Sequence, residues 1–170
     1  GVNTQTADIL KPDITAPGVR ILAASSPQQL QFGGNPQGEN FAYLQGTSMS
    51  SPHIAGMAAL LAGQYPNWTP AQIKSAIMTT ARQDLVKEDS VTPADPFDFG
   101  AGHVAPAPAL NPGLVYSANL GDYLGFLCGQ GEAGLVSSAR FGADCTDIAN
   151  AGFATDASQL NYPSIAIGEL

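Results

Sequence analysis

Gly46-Thr47-Ser48-Met49-Ser50-Ser51-Pro52-His53 is the stretch on which the fold prediction depends. It places a serine on a glycine-led turn directly before a run of small residues with helical spacing. Such a serine would lie at a helix N-terminus, where unpaired N–H groups and the positive end of the helix dipole stabilise an anion. A nucleophilic serine needs such donors because its attack on a carbonyl produces an oxyanion. The simpler alternative is that this serine is an N-cap that only starts a helix. Pro52 is expected in the first turn of that helix.

Two helices are predicted after the serine. The first has apolar residues at helical spacing, namely Ile54, Met57, Ala58 and Leu61. The second begins at Thr69, a good N-cap, with Pro70 at the first helical position and Gln72 completing a capping box. Its apolar face consists of Ile73, Ala76, Ile77 and Ala81.

Two strands are predicted before the serine. Residues 19–23 are expected to form a short buried strand, and residues 41–44 a strand that leads into the serine turn. Residues 31–40, rich in glycine and asparagine, are expected to be a loop. The alternation of strands and helices indicates an α/β fold with a parallel sheet and the serine near the carboxyl end of a strand.

The serine motif resembles the nucleophile signature of subtilisin-like serine proteases, the subtilase family. Residues 11–18, 54–61 and 65–70 resemble the segments that flank it in that family, in the same order. This resemblance implies the C-terminal part of a three-layer, subtilisin-like α/β catalytic domain. It also implies a serine endopeptidase that hydrolyses polypeptide substrates through an acyl-enzyme and is secreted.

A second resemblance, to plant-type multidomain subtilases, covers much of the remaining chain. It rests on residues 95–103, 110–116, 122–128 and 160–165. It implies that residues 1–116 belong to the catalytic domain, 117–157 to a cysteine-containing extension or linker, and 158–170 to the first strand of a β-sandwich resembling fibronectin type III. The charge distribution supports a boundary near Tyr116, because eight acidic and five basic residues precede position 117 and six acidic and one basic follow it.

The resemblance also implies roles around the turn. Ser48 would be the nucleophile and its own N–H an oxyanion donor, on a turn that Gly46 opens to the substrate. Thr47 would support the oxyanion hole through its hydroxyl. Gln45 and Leu44 would line the leaving-group side of the cleft.

Three neighbours of the serine carry simpler interpretations. Met49 resembles the family methionine beside the nucleophile, although filling of the core explains it almost as well. Ser50 and Ser51 are predicted to be no more than small residues tolerated at the helix start.

The catalytic triad is expected to be incomplete in this chain. Subtilisin-type triads run Asp, His, Ser along the sequence, whereas both His53 and His103 follow Ser48. Both histidines are therefore predicted to be structural, and the Asp, the His and the oxyanion asparagine are expected upstream. The chain alone is predicted to be inactive and to self-associate or to require the upstream half of its own catalytic domain.

Two other functions remain open. The parent could be a pseudoprotease that only binds its partners, which an inert residue at an upstream triad position would reveal. It could also be an α/β-hydrolase-type esterase, although the nucleophile elbow of that class needs glycine where Ser50 stands.

Cys128 and Cys145 are expected to form a disulfide, given the secreted class that the resemblance implies. By the chain-entropy model the loop closed between them would be worth about 3 kcal/mol. A zinc site at these cysteines is not expected, because the further histidine and cysteine ligands that zinc requires are missing. The alternative to the disulfide is two unpaired buried thiols.

Composition limits the function further. With 44% hydrophobic and 12% charged residues, the chain is expected to fold rather than to be disordered. A net charge of −8 without a basic patch argues against nucleic-acid binding. No apolar run is long enough to span a bilayer, and no cofactor or metal is predicted.

Overall fold

The computed structural model describes residues 6, 8–27, 40–138 and 140–164. Its strands are β1 (Ile21–Ala24) and β2 (Phe41–Leu44). Its longer helices are α1 (Thr47–Gln64), α2 (Pro70–Thr79) and α5 (Leu120–Gly129). Its shorter helices are α3 (Pro96–Phe99), α4 (Pro106–Ala109), α6 (Ala133–Val136) and α7 (Cys145–Asn150), followed by a 3₁₀ turn at Ala157–Gln159.

The two described strands pair antiparallel, with Ile21 opposite Leu44 and Ala24 opposite Phe41. The α/β class predicted from the alternation of elements is confirmed, but these two strands do not form the predicted parallel pair. Parallel neighbours need a crossover connection, usually a helix, and the sequence between the strands carries turn residues rather than a helical pattern. Thr15 and His103 do form one isolated parallel bridge.

β1 is shorter and more exposed than the predicted buried strand. It begins at Ile21, after Arg20 has taken a φ of 53°, and Val19 before it is 71% exposed. Along β1 the residues alternate between half-buried and exposed, because one face of this strand lies uncovered among the described residues.

α1 and α2 pack together into the first of two apolar cores. Met57 and Leu61 on α1 and Ala76 and Ile77 on α2 are buried there. The buried residues belong to the apolar face predicted for each helix, and Ile54, Ala58 and Ile73 pack against the same cluster. Ala81, which was predicted on the face of α2, lies beyond the end of that helix at Thr79.

Pro52 lies inside α1 instead of in its first turn, because the helix already begins at Thr47. A proline has no N–H to donate four residues back. The carbonyl of Ser48 therefore lacks its usual helical donor.

The start of α2 confirms the predicted capping box. The Gln72 N–H donates to Thr69 Oγ1 at 3.2 Å, and the Thr69 N–H donates to Gln72 Oε1 at 2.8 Å. In the middle of α2, Ser75 is fully buried, and its Oγ accepts a 2.8 Å hydrogen bond from the Tyr116 N–H. This hydrogen bond connects Tyr116, at the predicted domain boundary, to α2.

A second core lies in the helical segment that follows. Leu124, Val136 and Ile148, from α5, α6 and α7, are its buried residues. Cys128 and Cys145 form a disulfide that joins α5 to α7. The strand predicted for residues 158–170 does not occur at 158–164, where the 3₁₀ turn ends and irregular chain follows, and residues 165–170 lie outside the described part.

Candidate active site

Ser48 is an exposed residue in the first turn of α1, as the sequence predicted. Gly46 precedes the helix with φ 137° and ψ 172°, a backbone conformation that side-chain-bearing residues rarely adopt. The N–H groups of Met49 and Ser50 donate back to the Gly46 carbonyl at 3.0 and 3.3 Å. The N–H groups of Thr47 and Ser48 come before these first helical bonds, at the positive end of the helix dipole.

The turn that carries Ser48 is held by an earlier segment of the chain, residues 16–18. The Gly46 N–H donates to the Gly18 carbonyl at 2.8 Å. Two residues beyond Ser48, the hydroxyl of Ser50 donates to the Ala16 carbonyl at 3.0 Å. A Cβ on Gly18 would overlap Ser50 Oγ and lie 2.9 Å from the Gly46 carbonyl oxygen, so only glycine permits this approach.

The other predicted site residues surround Ser48. Gln45 and Thr47 are exposed, and Leu44, at the end of β2, is 37% exposed. Met49 is half-buried, so part of its side chain lies against the protein and part faces solvent.

Neither histidine is hydrogen-bonded to Ser48 among the described residues. The Nδ1–H of His53 donates to the Met49 carbonyl at 2.8 Å, within the same helix. His103 exchanges two backbone hydrogen bonds with Arg82, at 2.8 and 2.9 Å. Both histidines line a groove of about 450 Å³ to which Ser48 does not contribute. The ring of His103 has its Nδ1 atom 3.4 Å from Thr15 Oγ1. The structural roles of the two histidines stay predictions.

A charged cluster around Asp13 lies three residues before the segment 16–18 that holds the turn. Lys11 Nζ and Lys74 Nζ lie 2.8 and 2.9 Å from its carboxylate oxygens. The Tyr162 hydroxyl donates to Asp13 Oδ1 at 2.5 Å, and Lys74 Nζ lies 4.5 Å from the centroid of the Tyr162 ring. The cluster thereby joins α2, the segment before the serine turn and the C-terminal segment.

Burial and the neighbouring hydrogen-bond donors shift the pKa of Asp13 in opposite directions. Burial raises the pKa of its carboxyl, but the hydrogen bonds from Lys11, Tyr162 and Lys74 together bring the pKa below its usual value. Burial, followed by the hydrogen bond to Asp13, raises the pKa of Tyr162. Asp13 is therefore the anion and Tyr162 the neutral donor at neutral pH.

No local sequence pattern marks Ser50, Asp13 or Tyr162 as part of this arrangement. Ser50 was expected only to be small, yet it makes a specific hydrogen bond to a residue 34 positions earlier. Asp13 and Tyr162 are 149 positions apart. No local spacing rule reports such contacts, and only the pairing of segments in the fold reveals them.

Two further features of the described residues concern metals and membranes. No group of three or more His, Cys, Asp or Glu side chains in this part of the chain is arranged to hold a metal ion. None of the described helices has the length and apolar character needed to cross a membrane.

An exposed serine at a helix N-terminus, after a glycine turn in an α/β fold, defines a candidate serine-hydrolase site. The chain belongs to the subtilase family, whose Peptidase_S8 model matches residues 2–102.

Plant proteins are among the relatives that this chain resembles. It is 45% identical over 178 residues to Subtilisin-like protease SBT1.2 of Arabidopsis thaliana, covering 98% of this chain and 22% of the relative. It is 45% identical over 181 residues to Subtilisin-like protease Glyma18g48580 of Glycine max, covering 100% of this chain and 22% of the relative. The chain therefore spans between a fifth and a quarter of the length of these relatives.

A solved structure also resembles the chain. It is that of fervidolysin from Fervidobacterium pennivorans, a keratinolytic enzyme related to subtilisin. The match has 29% sequence identity and a TM-score of 0.48, and it covers 62% of this chain and 16% of fervidolysin.

Proposed function

We propose that this chain is the serine-bearing part of the catalytic domain of a secreted, subtilisin-like serine endopeptidase. The observation that carries the proposal is the exposed Ser48 in the first turn of α1, directly after the positive-φ Gly46, within a chain of the subtilase family. The names of its plant relatives, which are subtilisin-like proteases, support the same activity.

In the proposed reaction Ser48 Oγ attacks the scissile carbonyl of a polypeptide. Its proton passes to a histidine supplied by the rest of the protein, and that histidine then protonates the leaving amine. The Ser48 N–H stabilises the oxyanion, and Thr47 supports this oxyanion hole through its hydroxyl. Water next attacks the acyl-enzyme and restores the serine.

The surfaces beside Ser48 fit this reaction. Leu44 and Gln45 would contact the leaving-group side of the substrate, as the resemblance to subtilases implies. Met49 would border the reacting carbonyl, so that its oxidation would introduce a polar oxygen there.

We also propose that the isolated chain is inactive. The ring of His53 donates to the Met49 carbonyl, and Nδ1 of His103 lies 3.4 Å from Thr15 Oγ1. The base for Ser48 would then come from elsewhere in the protein. α1 exposes apolar residues such as Leu60, which is 62% exposed. We propose that the upstream half of the catalytic domain covers this surface, and that the isolated chain self-associates through it.

The test is hydrolysis of a fluorogenic peptide by the full-length protein and by its Ser48→Ala variant. Loss of the nucleophile is expected to lower kcat by at least about 10⁴-fold, while Ser51→Ala keeps activity near that of the parent. A folded, secreted full-length protein that cleaves no peptide would favour the pseudoprotease alternative. Equal activity of the parent and Ser48→Ala would overturn the assignment of the nucleophile.

A further inference from the structure

We propose that Ser50 is a positioning residue for Ser48: its hydroxyl fastens the first turn of α1 to the Ala16 carbonyl and so fixes the direction of the nucleophile. This inference rests on the proposed function, because it concerns the same serine. It begins from the 3.0 Å hydrogen bond between Ser50 Oγ and the Ala16 carbonyl.

The start of α1 has few hydrogen bonds of its own to hold it. Gly46 occupies the N-cap position and supplies no side-chain hydrogen bond. Pro52 cannot donate to the Ser48 carbonyl, so the first turn also lacks one of its helical bonds. Contacts with other segments must therefore fix the orientation of this turn.

Two such contacts flank the nucleophile symmetrically. Two residues before Ser48, the Gly46 N–H is bound to the Gly18 carbonyl at 2.8 Å. Two residues after it, Ser50 is bound to Ala16. The nucleophile thus lies between two hydrogen bonds to one short segment, residues 16–18.

The residues just before that segment are hydrogen-bonded to other parts of the fold. The Thr15 N–H donates to the Gly102 carbonyl at 2.8 Å, and the Thr15 carbonyl accepts from the Val104 N–H at 2.9 Å. Further back, Asp13 is bound by Lys11, Lys74 and Tyr162. Ser50 therefore connects the nucleophile turn to a fixed part of the fold and not to a mobile loop.

Ser50 differs in this respect from its neighbour Ser51. Ser50 is half-buried against Ala16 and Gly18, whereas Ser51 is exposed. Ser51→Ala makes the same chemical change one position along the same helix and is the matched control.

The experiment compares Ser50→Ala with Ser51→Ala in the full-length protein. A small misplacement of a nucleophile lowers the rate of the chemical step without weakening substrate binding. Ser50→Ala is therefore expected to lower kcat per folded molecule about tenfold, with KM within about twofold of the parent. The rate of reaction with a fluorophosphonate should fall in parallel, and Ser51→Ala should match the parent in each quantity.

Amide hydrogen exchange supplies a readout that does not need activity. Exchange in peptides covering residues 44–50 is expected to accelerate at least about tenfold in Ser50→Ala, because one of the two hydrogen bonds that hold the turn is lost, and not in Ser51→Ala. Unchanged exchange with kcat per folded molecule within twofold of the parent would overturn the proposal. So would a loss of activity fully accounted for by a lower folded fraction.

The outcomes also separate this inference from the proposed function. If the parent itself neither cleaves peptides nor reacts with the fluorophosphonate, the proposed function fails. The exchange comparison then still decides whether Ser50 holds the turn in place.

Discussion

Asp13 shows how one carboxylate can connect three parts of this chain. Its side chain is 24% exposed and contacts Lys11, Lys74 on α2 and Tyr162 in the C-terminal segment. Because the hydrogen bonds outweigh the effect of burial, its pKa lies below the usual value. A folded-state pKa below that of the unfolded chain stabilises the fold above the unfolded pKa of about 4. This stabilisation is lost as the pH falls through the lower folded-state pKa.

Asp13→Asn is expected to lower the free energy of unfolding by about 2 kcal/mol at pH 7, since it removes a charged hydrogen-bond acceptor that binds three donors. The difference between parent and variant should shrink as the pH falls through the lowered folded-state pKa of Asp13, because the parent carboxyl then also becomes neutral. Denaturant unfolding of the full-length protein at several pH values measures both effects. The exposed Glu88→Gln serves as the control. A parent–variant difference that does not change with pH would contradict the ionic role of Asp13.

At the scale of elements, the second core illustrates how short helices become stable. α6 and α7 are too short to be stable alone, yet each contributes a buried residue beside Leu124 of α5, namely Val136 and Ile148. The Cys128–Cys145 disulfide ties α5 to α7 across this core. The cross-link and the apolar contacts therefore stabilise the same group of helices.

Replacement of both cysteines by serine is expected to destabilise this helical group by about 3 kcal/mol, because the unfolded chain regains the entropy of an open loop. Hydrogen exchange should accelerate in α5 and α7, while α2, in the other core, serves as the internal control. Exchange that is unchanged in α5 and α7 would contradict the role assigned to the disulfide. Acceleration of equal size in α2 would show that the two cores unfold together.

Local signals predicted the helices better than the pairing of distant segments. The capping box at Thr69 and the apolar face of α1 follow from residues three or four positions apart, and the structure has both. The antiparallel pairing of β1 with β2 was missed, although the turn residues between the strands, without a helical pattern for a crossover, favour it. The Asp13–Tyr162 contact was missed because nothing within a turn or helix relates residues 149 positions apart.

The candidate site was predicted in a similarly uneven way. The position of Ser48 follows from the glycine turn and the small residues after it, and family resemblance strengthens the interpretation. The hydrogen bond from Ser50 to Ala16 could not be read from sequence, because it depends on how residues 16–18 pack against α1. The predicted position of Pro52 was wrong: α1 already begins at Thr47, so the proline lies in the second helical turn and not in the first.

At the scale of the whole molecule, α1 is more exposed than a central apolar helix should be. Leu61 is fully buried, but Leu60 beside it is 62% exposed. The chain covers 22% of plant relatives such as Subtilisin-like protease SBT1.2. Our account is that other parts of the protein cover this face of α1 and supply the base for Ser48.

The measurement that tests this account most directly is intact-mass spectrometry after treatment with a fluorophosphonate. The full-length protein is expected to gain one phosphonyl adduct that peptide mapping places on Ser48 and that Ser48→Ala lacks. The isolated 170-residue chain is expected to gain none. A folded full-length protein without an adduct would contradict Ser48 as a nucleophile, and an adduct on Ser48 of the isolated chain would contradict its dependence on the rest of the protein.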